Sequence, residues 1–240
     1  MIEEYTMHSV HTGQEYRIRV QKPQNFDPAR EYTIIYVADG SYGVWQFLMD
    51  PKNKISIPDN CVVIAICHTG EKEADRNRDL IPADISNNAK KNYGQANRFY
   101  LFIRDELIPF VEKEFPSAKR KVFIGHSLSG LFCLYLIFQG QQLFDHYYAI
   151  SPSLWANWFE LLKIENAYCD HHNDLSANIT IYAGSLEVFD LIRISVYKFV
   201  NNIQKRRYKS LRLNYNIIPN ARHFTIRKPV LEQIMDSLKK

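Results

Sequence analysis

The stretch Lys121-Val122-Phe123-Ile124-Gly125-His126-Ser127-Leu128-Ser129-Gly130-Leu131 decides how the rest of the chain is read. Lys121 to Ile124 has the β-branched and aromatic character of a strand, the next six residues form a small, polar turn, and Leu131 to Phe138 is apolar and helix-like. A strand that turns sharply into a buried helix holds a serine hydroxyl above the C-terminal edge of a sheet. There the following N–H and the helix N-terminus both face any negative charge that develops. Ser127 is therefore the candidate nucleophile. The pattern Gly-x-Ser-x-Gly is met except at its fifth position, where Ser129 stands and Gly130 comes one residue late. Glycine suits such a turn because strand and helix approach too closely for side chains. Serine is the next smallest polar choice. The competing reading is an ordinary strand-to-helix turn, and the order of elements on either side decides between them.

Working outward, Glu3 to Val10 and Gln14 to Gln21 alternate apolar and polar residues across His11-Thr12-Gly13, as an antiparallel hairpin does. Tyr32 to Ala38 and Cys61 to Cys67 are nearly continuous apolar runs, expected of parallel strands covered on both faces. Between them lie the tight turn Asp39 to Gly43 and a loop or short helix reaching Pro58. Thr69 to Gly94 is charged, lacks apolar periodicity and reads as a long loop, a kind of segment that usually serves function. Ala96, Phe99, Ile103, Leu107, Phe110 and Val111 follow at helical spacing, with Pro109 kinking or dividing that helix. After the elbow come strands at His146 to Ile150, Asn178 to Ala183 and Leu211 to Ile218. Ser151 to Ala177 reads as a polar connection. One helix carries Ile192, Val196, Val200 and Ile203 on a face, and a last one starts near Pro229 with Val230, Ile234 and Leu238 inward. The total is a hairpin and six strands alternating with helices, with the serine after the third of the six. That is the order of an α/β-hydrolase fold: one domain over residues 1–240, a mostly parallel eight-stranded sheet with an N-terminal antiparallel hairpin, and helices on both faces.

In that order the triad runs serine, acid, histidine. A serine hydroxyl needs a base within hydrogen-bond reach, and the base needs a third group to fix its tautomer. His223, just past the last strand, suits the base. His126 points away from its neighbour's hydroxyl and reads as structural, and His68, ending a strand before the elbow, reads as lining the pocket. For the acid, Glu187 and Asp190 both lie after the Asn178 strand. Glu187 is favoured because the turn at Gly184 returns it over the strand end, whereas Asp190 suits the start of the next helix. The oxyanion hole is expected from the N–H groups of Leu128 and Ser41.

Composition sets the limits. The 240 residues are 46% hydrophobic and 13% aromatic, enough for a large core, and 30 basic against 26 acidic side chains give a net charge of +4. Those charges are spread along the chain, so nucleic acid is not an expected partner. The densest basic run, Lys205-Arg206-Arg207 with Lys209, reads as a solvated helix end. The acidic N-terminus has no secretion-type apolar run and no segment is of membrane-spanning length, which points to a cytoplasmic protein without a membrane partner. Cys61 and Cys67 share a strand roughly 20 Å apart, too far to bridge. Cys133 falls in the buried helix and Cys169 in a loop. Cys169-Asp170-His171-His172 resembles a metal motif only weakly.

Several pieces together resemble the Putative esterase family of α/β-hydrolases, the group holding enterochelin and other ferric siderophore esterases, esterase D-like enzymes and mycolyltransferases. They are Thr12 to Arg17, Tyr36 to Gly40, Arg76 to Pro82, Glu106 to Glu112, Gly125 to Leu128, Ile150 to Trp155, and the loops of Glu187 and His223. Ser129 and Gln95 depart from the branch nearest the siderophore esterases, where glycine and Gly-Gly-Ala are usual. The resemblance implies hydrolysis of a small carboxylic ester through an acyl-serine intermediate without metal or organic cofactor. Two rivals stand beside it: an acyltransferase using the same residues, and an inactive binding protein with Ser129 as the lesion. Arg76 and Arg78 either hold an anionic acyl group or tie down their own loop. Tyr42, Trp45, Trp155 and Trp158 either wall the pocket or belong to the core. Oligomeric state is left open.

Overall fold

A computed structural model describes residues 2–40, 43–70, 72–82, 93–187 and 191–239. Alternation between Ile2 and Gln21 folds as read. β1 (Ile2–His8) and β2 (Glu15–Gln21) pair antiparallel, with Tyr5 opposite Ile18, and Tyr16, Ile18 and Val20 turn inward. The six further strands are β3 (Tyr32–Val37), β4 (Cys61–His68), β5 (Ala118–His126), β6 (His146–Ile150), β7 (Ala177–Gly184) and β8 (Leu211–Ile218). They form one sheet of order β1-β2-β4-β3-β5-β6-β7-β8, in which β2 meets β4 antiparallel and all later pairs are parallel. This is the α/β-hydrolase arrangement. From β3 the chain steps one way to β4 and then back across to β5. The loops after β3 and β5 therefore leave in opposite directions and open a crevice at the carboxyl edge.

Period-two side-chain alternation gives the sheet two cores. Ile34, Tyr36, Phe123 and Tyr147 face one layer of helices; Ile35, Val37, Val122 and Ile124 face the other. The first layer holds α5 (Leu128–Leu136), buried at all nine positions, and α7 (Leu191–Arg206), whose Val196, Phe199 and Ile203 point to the sheet. The second holds α1 (Gly43–Met49) and α8 (Arg227–Ser237). Trp45 of α1 is 3% exposed within that second core, so it is packing and not pocket wall. α8 begins two residues before Pro229. The helix around Pro109 runs as α3 (Ala96–Phe102) and α4 (Ile108–Glu114) joined by one widened turn, Ile103–Leu107, which lets it pass a residue without an N–H.

Two connections differ from their sequence reading. Lys72–Leu80, inside the expected long loop, is helix α2. It has no apolar stripe to announce it, because its inner face is ionic. Arg78 donates to Asp75 and Asp79, and Asp79, fully buried, also accepts from Tyr16 of β2 and contacts His68 of β4. The expected polar connection after β6 contains α6 (Trp158–His171), and Cys169 lies on this helix, not in a loop. Leu161, Ile164 and Tyr168, at helical spacing, were the available signal. Of the basic run at the end of α7, Lys205, Arg207 and Lys209 are exposed, while Arg206 forks onto the buried Glu165 at 2.7 and 2.9 Å. Among the described residues no helix is long and apolar enough to cross a membrane.

Two histidines at opposite ends of central strands are held neutral. Burial, aided by the charge of Arg120, lowers the pKa of His146 from 6.5 to about 4; burial, aided by His223, lowers that of His126 to about 3. The unfolded chain binds these protons from about pH 6.5 downward and the folded chain does not, so stability rises with pH between the folded and unfolded values. Urea midpoints should fall steadily from pH 7 to pH 4. In His146→Gln, which keeps a partner for Thr180 but cannot ionise, that fall should be shallower; an unchanged slope would refute the assignment.

Candidate active site

At the elbow the backbone itself demands the residue types. A Cβ on Gly125 would lie 2.1 Å from the carbonyl oxygen of Ser129, so only glycine lets β5 and α5 approach this closely. A Cβ on Gly130 would crowd Pro152 and the Ile150 carbonyl at 3.0 to 3.1 Å. Between them Ser127 takes φ 61° and ψ −117°, a conformation that L residues avoid and that the flanking helix and sheet enforce. Its N–H donates to the Ile150 carbonyl at 2.9 Å. Leu128, as the first residue of α5, has an N–H with no intrahelical acceptor, beside that hydroxyl. Ser129 fits this turn: its hydroxyl accepts from the His126 N–H and donates to the His126 carbonyl, both at 2.9 Å.

The other two elements of the expected triad meet the serine here. His223 Nε2 lies 3.0 Å from Ser127 Oγ, and its Nδ1 lies 3.2 Å from Glu187 Oε2. An ionised carboxylate only accepts, so Nδ1 carries the ring hydrogen and Nε2 accepts from the serine. Glu187 is 5% exposed. Its Oε1 accepts from the Gly184 N–H and from the hydroxyl of Ser151, which has φ 43°. Burial alone pushes the Glu187 carboxyl up, but hydrogen bonds from His223, Ser151 and Gly184 outweigh it and hold the pKa below the ordinary glutamate value. His126 supports His223 from behind. Its Nε2 lies 2.7 Å from the His223 carbonyl, which makes Nε2–H the donor, and the two rings lie 4.8 Å apart.

Around these three the other expected residues divide. Arg78 is 5% exposed and its guanidinium is engaged by Asp75, Asp79 and Gln14, which ties down α2. Arg76 donates to Asp39 at 2.7 Å, joining α2 to the loop after β3, and keeps 23% of its side chain exposed. His68 is buried against Asp79. Trp155 is 57% exposed on the short turn Leu154–Ala156 beyond β6. Ser41, Tyr42, Asp190 and the side chain of Trp158 lie outside the described residues. Sequence reasoning passed over Ser151 as a support of the acid and Ser153, whose Oγ lies 3.0 Å from Ser127 Oγ; their small polar character in a strand-end turn was the signal. A cavity of about 700 Å³ between α3, α5 and α6, lined by Tyr135, Phe138, Ile164 and Tyr168, contains none of the expected triad and no serine or cysteine.

The model of the family described as Putative esterase matches residues 9–223. The chain belongs to the Putative esterase family. Membership makes it a carboxylic ester hydrolase. Among curated relatives, the ferri-bacillibactin esterase of Bacillus subtilis is 27% identical over 199 residues, covering 75% of this chain and 69% of that one. The siderophore triacetylfusarinine C esterase of Aspergillus fumigatus is 35% identical over 117 residues, covering 47% and 39%. In structure the chain superposes on the siderophore hydrolase EstB from Aspergillus nidulans with a TM-score of 0.79 at 21% identity, covering 99% and 94%, and on the BES protein of Bacillus cereus with 0.78 at 23%, covering 98% and 94%. At those identities the superpositions establish the α/β-hydrolase fold.

Within this turn the Ser129 side chain straps the N–H and the carbonyl of His126. Ser129→Gly, the residue usual in the family's siderophore-esterase branch, removes two buried hydrogen bonds and adds chain freedom. It should lower the unfolding free energy by about 1–3 kcal/mol in urea titrations; equal or greater stability would show that the hydroxyl contributes nothing.

Proposed function

We propose that this esterase cleaves its ester through an acyl-serine intermediate on Ser127, with His223 as general base and then general acid, and Glu187 as the group that orients and charge-stabilises the imidazole. The observation that carries this reading is the unbroken chain of contacts from Ser127 Oγ to His223 Nε2 at 3.0 Å and from His223 Nδ1 to Glu187 Oε2 at 3.2 Å. His223 takes the serine proton as Oγ attacks the acyl carbon, then returns a proton to the departing alcohol. The same ring takes a proton from water in the second half of the cycle. The oxyanion is held by the Leu128 N–H at the start of α5, where the helix dipole adds to it, and by the Ser41 N–H expected from the sequence.

For substrate, the relatives named for ferri-bacillibactin and triacetylfusarinine C support a small siderophore-type ester. The exposed face of Trp155 is the proposed aromatic wall for it, and Arg76, partly exposed at the edge of α2, is the proposed contact for an anionic group. Ser129, hydrogen-bonded to both the N–H and the carbonyl of His126, supports a working elbow over an inactive one.

Hydrolysis of p-nitrophenyl butyrate between pH 6 and 9 tests the mechanism. Ser127→Ala should reduce turnover to background, and Glu187→Gln, which leaves the histidine without its charged partner, should cut kcat by up to about 10⁴. Undiminished turnover in Ser127→Ala would sink the nucleophile.

A further inference from the structure

We infer that Ser153 is a further catalytic residue, its hydroxyl donating a hydrogen bond to Ser127 Oγ and supporting the negative charge on that oxygen as the acyl-serine bond forms and breaks. The inference rests on Ser127 being the nucleophile. A count of protons carries it further. Ser127 Oγ has two neighbours at 3.0 Å, His223 Nε2 and Ser153 Oγ, and only one proton of its own. With Nδ1–H committed to Glu187, Nε2 is the acceptor and takes the Ser127 proton in its hydrogen bond. The contact between the two hydroxyls is therefore made with the proton of Ser153.

Ser153 is built into this position. It is 5% exposed, and its N–H donates to the Ser127 carbonyl at 3.0 Å, so backbone and side chain both lock onto the same residue. Among the described residues its hydroxyl has no other partner. Pro152 separates it from Ser151, whose own hydroxyl goes to Glu187. The short exit from β6 thus touches the acid with one serine and the nucleophile with the other.

In acylation Oγ forms its bond to the acyl carbon with one lone pair while its proton passes to Nε2. The carbonyl π pair moves to the carbonyl oxygen, and on its return the alcohol leaves with the proton from the imidazolium. In deacylation water bonds to the acyl carbon and its proton goes to Nε2. The C–Oγ bond then breaks with its electron pair returning to Oγ, which regains a proton from the imidazolium. Ser153 keeps its own proton throughout. Its hydrogen bond strengthens as Oγ gains charge, because a hydrogen bond to a charged acceptor is worth more than one to a neutral acceptor. The stabilisation falls mainly on the transition states and so raises kcat.

Stopped-flow hydrolysis of p-nitrophenyl butyrate by wild type, Ser153→Ala, Ser153→Thr and Ser127→Ala, with melting temperatures for each, tests this. Ser153→Ala should lose about 10- to 100-fold in kcat. Its KM should stay within about threefold of wild type and its melting temperature should be near wild type; Ser153→Thr, which keeps the hydroxyl, should recover most of the rate. Wild-type kcat in Ser153→Ala alongside a dead Ser127→Ala overturns the role of Ser153 and leaves the nucleophile standing. A loss confined to KM, or one that threonine does not restore, likewise overturns it by marking a packing or substrate contact. Turnover in Ser127→Ala would instead bring down the reading on which it rests.

Discussion

The approach of the Ser129 carbonyl to Gly125 is the constraint on which the site depends. The two backbones pass so closely that a single methyl group at Gly125 would collide with helix α5. That closeness forces Ser127 into its positive φ and lifts its hydroxyl clear of the sheet. It also places the start of α5 beside the same hydroxyl, so the position of the Ser127 side chain and the helix N-terminus beside it come from one packing decision. Strain at Ser127 of about 1–3 kcal/mol is offset by burial of all nine residues of α5.

Much of the architecture was legible because its signals are local. Tyr32 to Ala38 and Cys61 to Cys67 read as doubly covered strands since nearly every position is apolar, and each is buried in the structure. Strand order followed from the alternation of runs. The positions of His223 and Glu187 followed from that order, and the structure brings both to within 3.2 Å of their neighbours in the proposed triad.

What was not legible depends on partners far away in sequence. α2 lacks an apolar face and is held by charges: Asp79 finds Tyr16 across 63 residues and His68 across 11. Arg78 looks like a free cation until its three carboxylate and amide partners are placed around it. The same holds for Ser129, which in sequence is only a missing glycine. Its two hydrogen bonds to His126 exist only once the turn is formed. His126 reads as structural by elimination, but its grip on the His223 carbonyl spans 97 residues.

The sheet's two terminal strands bear on how the chain behaves among its own copies. Among the described residues β1 and β8 each leave one side of the ladder unpaired, a template onto which another molecule's strand can add. Glu3 and Glu4 stand on β1, tied to Lys22 and Arg19, and Arg212, Asn214 and Asn216 are exposed on β8. An incoming strand would have to strip water from these groups at both ends. The molecule thus carries its own protection against growing into longer ribbons while keeping its reactive edge open to small molecules.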